Sequence, residues 1–206
     1  MPQNGPIQPV ASTVIVPPGF VLANTWRQRF EEYGKKLFGA QAVVQTFGLG
    51  LYDQSTNFPR EWGRDADAFP DRLESQYGQF VLDQSIQLAL WGVHKEDSHY
   101  FRSGEGNFFK RTGHALKSTL IVSTPAGGQT FAMGAVAGSY GSWAIATRWW
   151  EPKSQQGVGQ VMLWGSAGLV GKAATNFAKE FWPDARRKLP HRKPAPLAAW
   201  ARIADR

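Results

Sequence analysis

The chain has 206 residues, no cysteine and a formal net charge of +7. That length suits one domain with its own core, and the lack of cysteine excludes disulfides, cysteine zinc sites, a thiol nucleophile and a lipid anchor on cysteine. Residues 1–117 carry twelve Lys/Arg against twelve Asp/Glu, while residues 172–206 carry nine against three, so the basicity belongs to the C-terminal end.

Residues 1–22 read as a Pro-rich extended lead rather than a signal peptide, because Pro2, Pro6 and Pro9 interrupt it and no apolar run follows a basic start. The same stretch suits the first residues of a processed mature chain. A helical domain is expected over residues 23–183. Its first helix begins at Thr25, which stands three residues before Gln28 in capping-box spacing. Trp26, Phe30, Tyr33 and Leu37 follow at helical intervals, and Gly39 is a suitable stop. An apolar stretch from Ala40 to Tyr52 comes next, then a loop over 54–70. Asp71 and Glu74 mark the start of a third helix that is apolar nearly all round from Ile86 to Val93. Residues 94–106 are polar and turn-like, and Phe108 to Lys117 suits a further helix.

Thr119 to Ser123, a Pro125-Ala126-Gly127-Gly128 turn and Gln129 to Met133 predict one short β-hairpin. Beyond it lie two glycine-rich helices. Between Ser118 and Gly171 only Arg148, Glu151 and Lys153 are charged. Gly134, Gly138, Ser142 and Ala146 recur every four residues, and Gly165, Gly168 and Gly171 every three. Each set makes a smooth ridge on one helix face. Glycine costs a helix interior about 1 kcal/mol relative to alanine, so close packing has to offset it. The two helices are therefore expected to pack on each other as an antiparallel pair. The fold class is mainly α: a compact helical bundle with a glycine-packed helical hairpin and one short β-hairpin. Residues 184–206 form a basic tail after Trp182-Pro183.

Several motifs carry a resemblance. They are Glu61-Trp62-Gly63, Tyr77-Gly78-Gln79, His94 to Ser103, His114-Ala115-Leu116-Lys117, Gly138-Ser139-Tyr140-Gly141 and Glu180-Phe181-Trp182-Pro183-Asp184. In order and spacing they resemble a family of exported, glycine-rich helical proteins of environmental bacteria, over roughly residues 40–190. The resemblance implies export behind a signal peptide, hence a periplasmic or outer-envelope location for a trimmed chain. It implies no activity, cofactor or catalytic residue. Ser98 stands where the family usually has proline, and Arg148 to Pro152 replaces a shorter Trp-Tyr-Pro turn.

His94, Glu96, Asp97 and His99 are the densest set of possible metal ligands, with donors suited to zinc, iron or manganese. Their spacing matches no established metal motif. The simpler reading is a polar loop after a buried helix, with His94 favourably placed at the helix C-terminus. Arg186, Arg187, Lys188, Arg192 and Lys193 form a cluster able to meet an anionic surface. The acidic run Glu61 to Glu74 is interleaved with Arg60, Arg64 and Arg72 and reads as neutralised surface pairs. A serine-hydrolase elbow and a phosphate-binding glycine loop are both missing.

These features suit a non-enzymatic cell-envelope protein with a structural or interaction role, associated with a membrane or a larger assembly. A metal-dependent hydrolase built on the His94–His99 loop is the alternative, and nucleic-acid binding through the tail the third. An anionic membrane surface, a protein assembly or a second copy of the chain are the partners the pattern suits. Nucleic acid suits it less, since no recognition motif accompanies the charge. No cofactor or substrate is specified.

Overall fold

A computed structural model describes residues 25–188 except 95, 98, 105 and 125–127. The Pro-rich lead over 1–22, the turn residues Pro125, Ala126 and Gly127, and Arg192 and Lys193 of the tail lie outside the described residues. The described residues form a mainly α bundle of six helices with one two-stranded antiparallel sheet. The helices are α1 (Trp26–Leu37), α2 (Ala40–Thr56), α3 (Ala68–His94), α4 (Phe108–Leu120), α5 (Met133–Trp149) and α6 (Val158–Lys188). The hairpin, β1 (Ile121–Ser123) and β2 (Gln129–Phe131), pairs Ile121 with Phe131 and Ser123 with Gln129.

Local chemistry explains most boundaries. Thr25 and Gln28 form a reciprocal capping box, the Gln28 N–H donating to Thr25 Oγ1 at 3.3 Å and the Thr25 N–H to the Gln28 side chain at 3.2 Å. Asn107 caps α4 by accepting from the Lys110 N–H at 2.9 Å. α2 runs through what the sequence offers as loop, to Thr56, and ends on Asn57 in the left-handed region (φ 54°). α3 begins at Ala68, three residues earlier than Asp71, because Pro70 falls in its first turn, where a missing N–H costs nothing.

α3 is the hub. It shares its broadest interface with α5, and α2 and α1 also lie against it, while α6 packs on α5 and α4 on α6. The two glycine-rich helices pack on each other as an antiparallel pair, as expected, but the ridge of α5 does not face α6. Gly134, Gly138, Ser142 and Ala146 are buried, but Gly134 faces Gln87 and Glu96, and Gly138 faces Asp83. The smooth face of α5 therefore lies on α3. A ridge points one way, and the backbone carbonyl of Asp83 would stand 3.0 Å from any Cβ at Gly138. α6 meets a different face of α5: Gly165 seats the Tyr140 ring and Gly168 lies on Ser139. Trp143 and Trp164 stack with centroids 5.4 Å apart, completing an antiparallel α5–α6 hairpin. A Cβ at Gly171 would meet nothing within 4 Å among the described residues.

The tail also starts later than expected. α6 continues through Pro183 to Lys188. Proline cannot donate to the carbonyl one turn back, yet the Arg111–Asp184 pair at 2.6 Å ties the following turn to α4.

Candidate functional site

The His94–His99 loop spends its carboxylates on contacts within the fold. The Glu96 carboxylate, 7% exposed, accepts from the Gly134 N–H at the α5 N-terminus through Oε1, where a negative charge is favourable. Burial nonetheless pushes its carboxyl above the usual range, against that N–H and the charges of His94 and Arg29. Asp97 is fully buried. Its Oδ1 accepts from the His99 N–H at 2.9 Å and pairs with His99 Nδ1 at 2.6 Å. Burial works to raise the Asp97 carboxyl, but the His99 hydrogen bonds and the charges of His99 and Arg29 outweigh it and hold it low. The Asp97 N–H donates to the Ser123 carbonyl at 2.8 Å, binding the loop to the hairpin edge. His94 is exposed at the end of α3. Among the described residues no three of these side chains converge on a point that could hold a metal ion. One oxygen of each carboxylate, Glu96 Oε1 and Asp97 Oδ1, is engaged by donors of the fold, while Glu96 Oε2 and Asp97 Oδ2 are buried without a hydrogen bond among the described residues.

Beside Glu96 lies a cleft of about 500 Å³, including its open mouth, between α1, α3 and the start of α5. Arg29 crosses it, donating to the Glu96 carbonyl at 3.1 Å, pairing with Glu32 at 3.4 Å and lying 5.0 Å over the Trp91 ring. Lys36 lines the same cleft, and burial pushes its amine below the ordinary lysine range. A depressed amine in a cleft is a candidate base or nucleophile. The α5 N–H that could steady a developing anion here is already taken by Glu96.

The sequence leaves Glu180 inside a motif without a role. In the fold it is fully buried and accepts from Arg111 Nε at 2.8 Å, the Tyr100 hydroxyl at 2.7 Å, and the N–H groups of Ser103 and Gly104 at 3.0 and 3.2 Å. Arg111 lies over the Phe181 ring at 4.4 Å. Arg72 is buried likewise, donating to the carbonyls of Phe58 at 2.7 Å and Gly63 at 2.7 Å. Lys172 joins Asp83 at 2.6 Å and Ser139 at 2.8 Å, a polar clamp across α3, α5 and α6. Only tertiary partners mark these residues; their sequence neighbours give no sign.

The outer surface is the reverse of the interior. α2 buries Ala42, Thr46, Gly50 and Asp53 and exposes Val43, Val44, Phe47, Leu51 and Tyr52. α6 exposes Val158, Met162, Leu163 and Val170, and its last turn exposes Arg186, Arg187 and Lys188. No helix among the described residues is long and apolar enough to cross a membrane. No protein-family model, curated protein or solved structure matches the chain.

Proposed function

We propose that this protein is a non-enzymatic interaction protein of the cell envelope that rests its apolar helices against a lipid surface. The observation that carries this reading is α2. It turns small and polar side chains inward and large apolar ones outward, and no charged residue occurs from Ala40 to Tyr52. In water such a face is unfavourable by about 25 cal/mol per Å² left uncovered, and contiguous exposed apolar surface commonly marks a membrane or protein contact. Arg186, Arg187 and Lys188 support an anionic surface, each worth about 1 kcal/mol beside acidic lipid. The membrane contact is interfacial, with helices lying on the surface rather than through it.

Vesicle flotation tests the proposal. The full chain is expected to float with phosphatidylglycerol vesicles and to be released in part by high salt. Recovery in the aqueous fraction as a monodisperse monomer without detergent overturns it. Recovery as a discrete oligomer with α2 protected from solvent moves the role from lipid to self-assembly.

A further inference from the structure

A second concavity lies on the far end of α3 from Glu96, and its walls are aromatic. It is an open concavity of about 430 Å³, lined by Trp62, Asp71, Glu74, Ser75, Gly78 and Trp150. Trp62 ends a short 3-10 turn over Arg60–Trp62, and Trp150 follows α5 directly. The Trp150 wall is held in place. Its Nε1–H donates to Ser75 Oγ at 2.9 Å, and Trp149 stacks on it with centroids 6.3 Å apart. A Cβ at position 78 would stand 3.3 Å from the Trp150 ring, so glycine there lets the indole lie on α3.

The charged groups among the described lining residues are both carboxylates. Asp71 and Glu74 stand exposed at its rim, one turn apart on α3. Behind the floor the buried Glu151 accepts from Ser75 Oγ at 2.5 Å and from the Gln79 side chain at 3.1 Å. No basic side chain is among the described lining residues.

We infer that this pocket is a binding site for an organic cation, specifically a quaternary trimethylammonium group. Indole faces attract a cation through their quadrupole, and tryptophan does so best. A quaternary ammonium has no N–H to satisfy and sheds water readily, so it suits a site with two indole rings, one of them held in place, and carboxylates at the rim. A sugar would find only acceptors at the rim, the Asp71 and Glu74 carboxylates, and Ser75 Oγ is already shared by Trp150 and Glu151. An anion would meet only carboxylates. The site is separate from the apolar face of α2 and does not depend on the lipid contact proposed above.

Choline is the probe, titrated into the full chain by calorimetry or tryptophan fluorescence. Its neutral isostere 3,3-dimethyl-1-butanol is the control. Choline is expected to bind at least about tenfold more tightly than the isostere, because only the charged ligand uses the ring quadrupole and the rim carboxylates. Trp62→Ala is expected to weaken choline about tenfold and Trp62→Tyr by less, while the pair Asp71→Asn and Glu74→Gln weakens it about threefold. Circular dichroism of each variant checks that the fold is kept. Equal binding of the isostere, no binding of choline, or full affinity in folded Trp62→Ala overturns the inference. Phosphatidylcholine vesicles distinguish the source: competition with free choline marks a lipid headgroup, and none marks a free solute. Val44→Lys and Phe47→Lys on α2 are expected to leave choline binding unchanged whatever they do to flotation.

Discussion

Glu180 gathers a guanidinium, a phenol and two backbone N–H groups at one buried carboxylate. Burial works to raise its carboxyl, and those donors more than reverse that and hold it low. A carboxyl held below its unfolded value, about 4.3 for glutamate, contributes stability that is present above that value and is lost as pH falls through the folded one. Glu180→Gln keeps the shape and removes the charge. It is expected to cost about 2–3 kcal/mol at pH 7 in urea unfolding and to blunt the loss of stability in acid. Glu151 has the opposite sign. Burial raises its carboxyl despite bonds from Ser75 and Gln79, so its contribution is full below the unfolded value and is lost as pH rises through the folded one. Glu151→Gln is therefore expected to raise the melting temperature at pH 7.5, with the difference from the parent closing towards pH 4.

Helix glycines divide by what stands opposite them. At Gly138 an added methyl group meets the Asp83 backbone carbonyl at 3.0 Å as well as its carboxylate, so Gly138→Ala is expected to cost about 1–3 kcal/mol. At Gly171 an added methyl group meets nothing within 4 Å among the described residues. Gly171→Ala removes only the backbone freedom of glycine and is expected to stabilise by about 0.5–1 kcal/mol. Urea midpoints of the two variants check both signs. Equal effects would mean that α3 and α5 do not approach as closely as the fold has them. α1 departs from its sequence pattern in a related way. The stripe of Trp26, Phe30, Tyr33 and Leu37 suits an inward face, yet Phe30 is 57% exposed and the buried residue is Arg29. Arg29 turns inward because Glu96, Glu32 and the Trp91 ring form a seat for it.

Among the described residues the buried apolar set is mostly alanine, with Phe80 and Trp91 as its large members. Alanine returns little hydrophobic free energy, so close helix approach and hydrogen-bonded charges hold the bundle while large apolar residues gather outside. Val44→Lys with Phe47→Lys is expected to change unfolding stability by no more than about 0.5 kcal/mol. The same pair should abolish flotation with acidic vesicles. A large loss of stability from the pair would mean that the α2 face packs inside the fold and is not a contact surface.

The helices, the hairpin and the Thr25 cap were legible in the chain because their causes are local: periodicity, capping spacing and turn chemistry act between residues a few positions apart. The crowding of glycine into residues 118–171 likewise announced close helix contacts. Which helix would meet each ridge was not legible, since a smooth face carries no label for its partner, and Gly134 and Gly138 went to α3. The His94–His99 loop shows the same limit. Its residue types permit metal binding, and the donors that occupy Glu96 and Asp97 come from α5 and from His99 within the loop. Trp62 and Trp150 are 88 positions apart, and they share a pocket because α3 and α5 run side by side. Long-range approach depends on how whole helix surfaces fit, and a single residue's neighbours in the chain do not encode it.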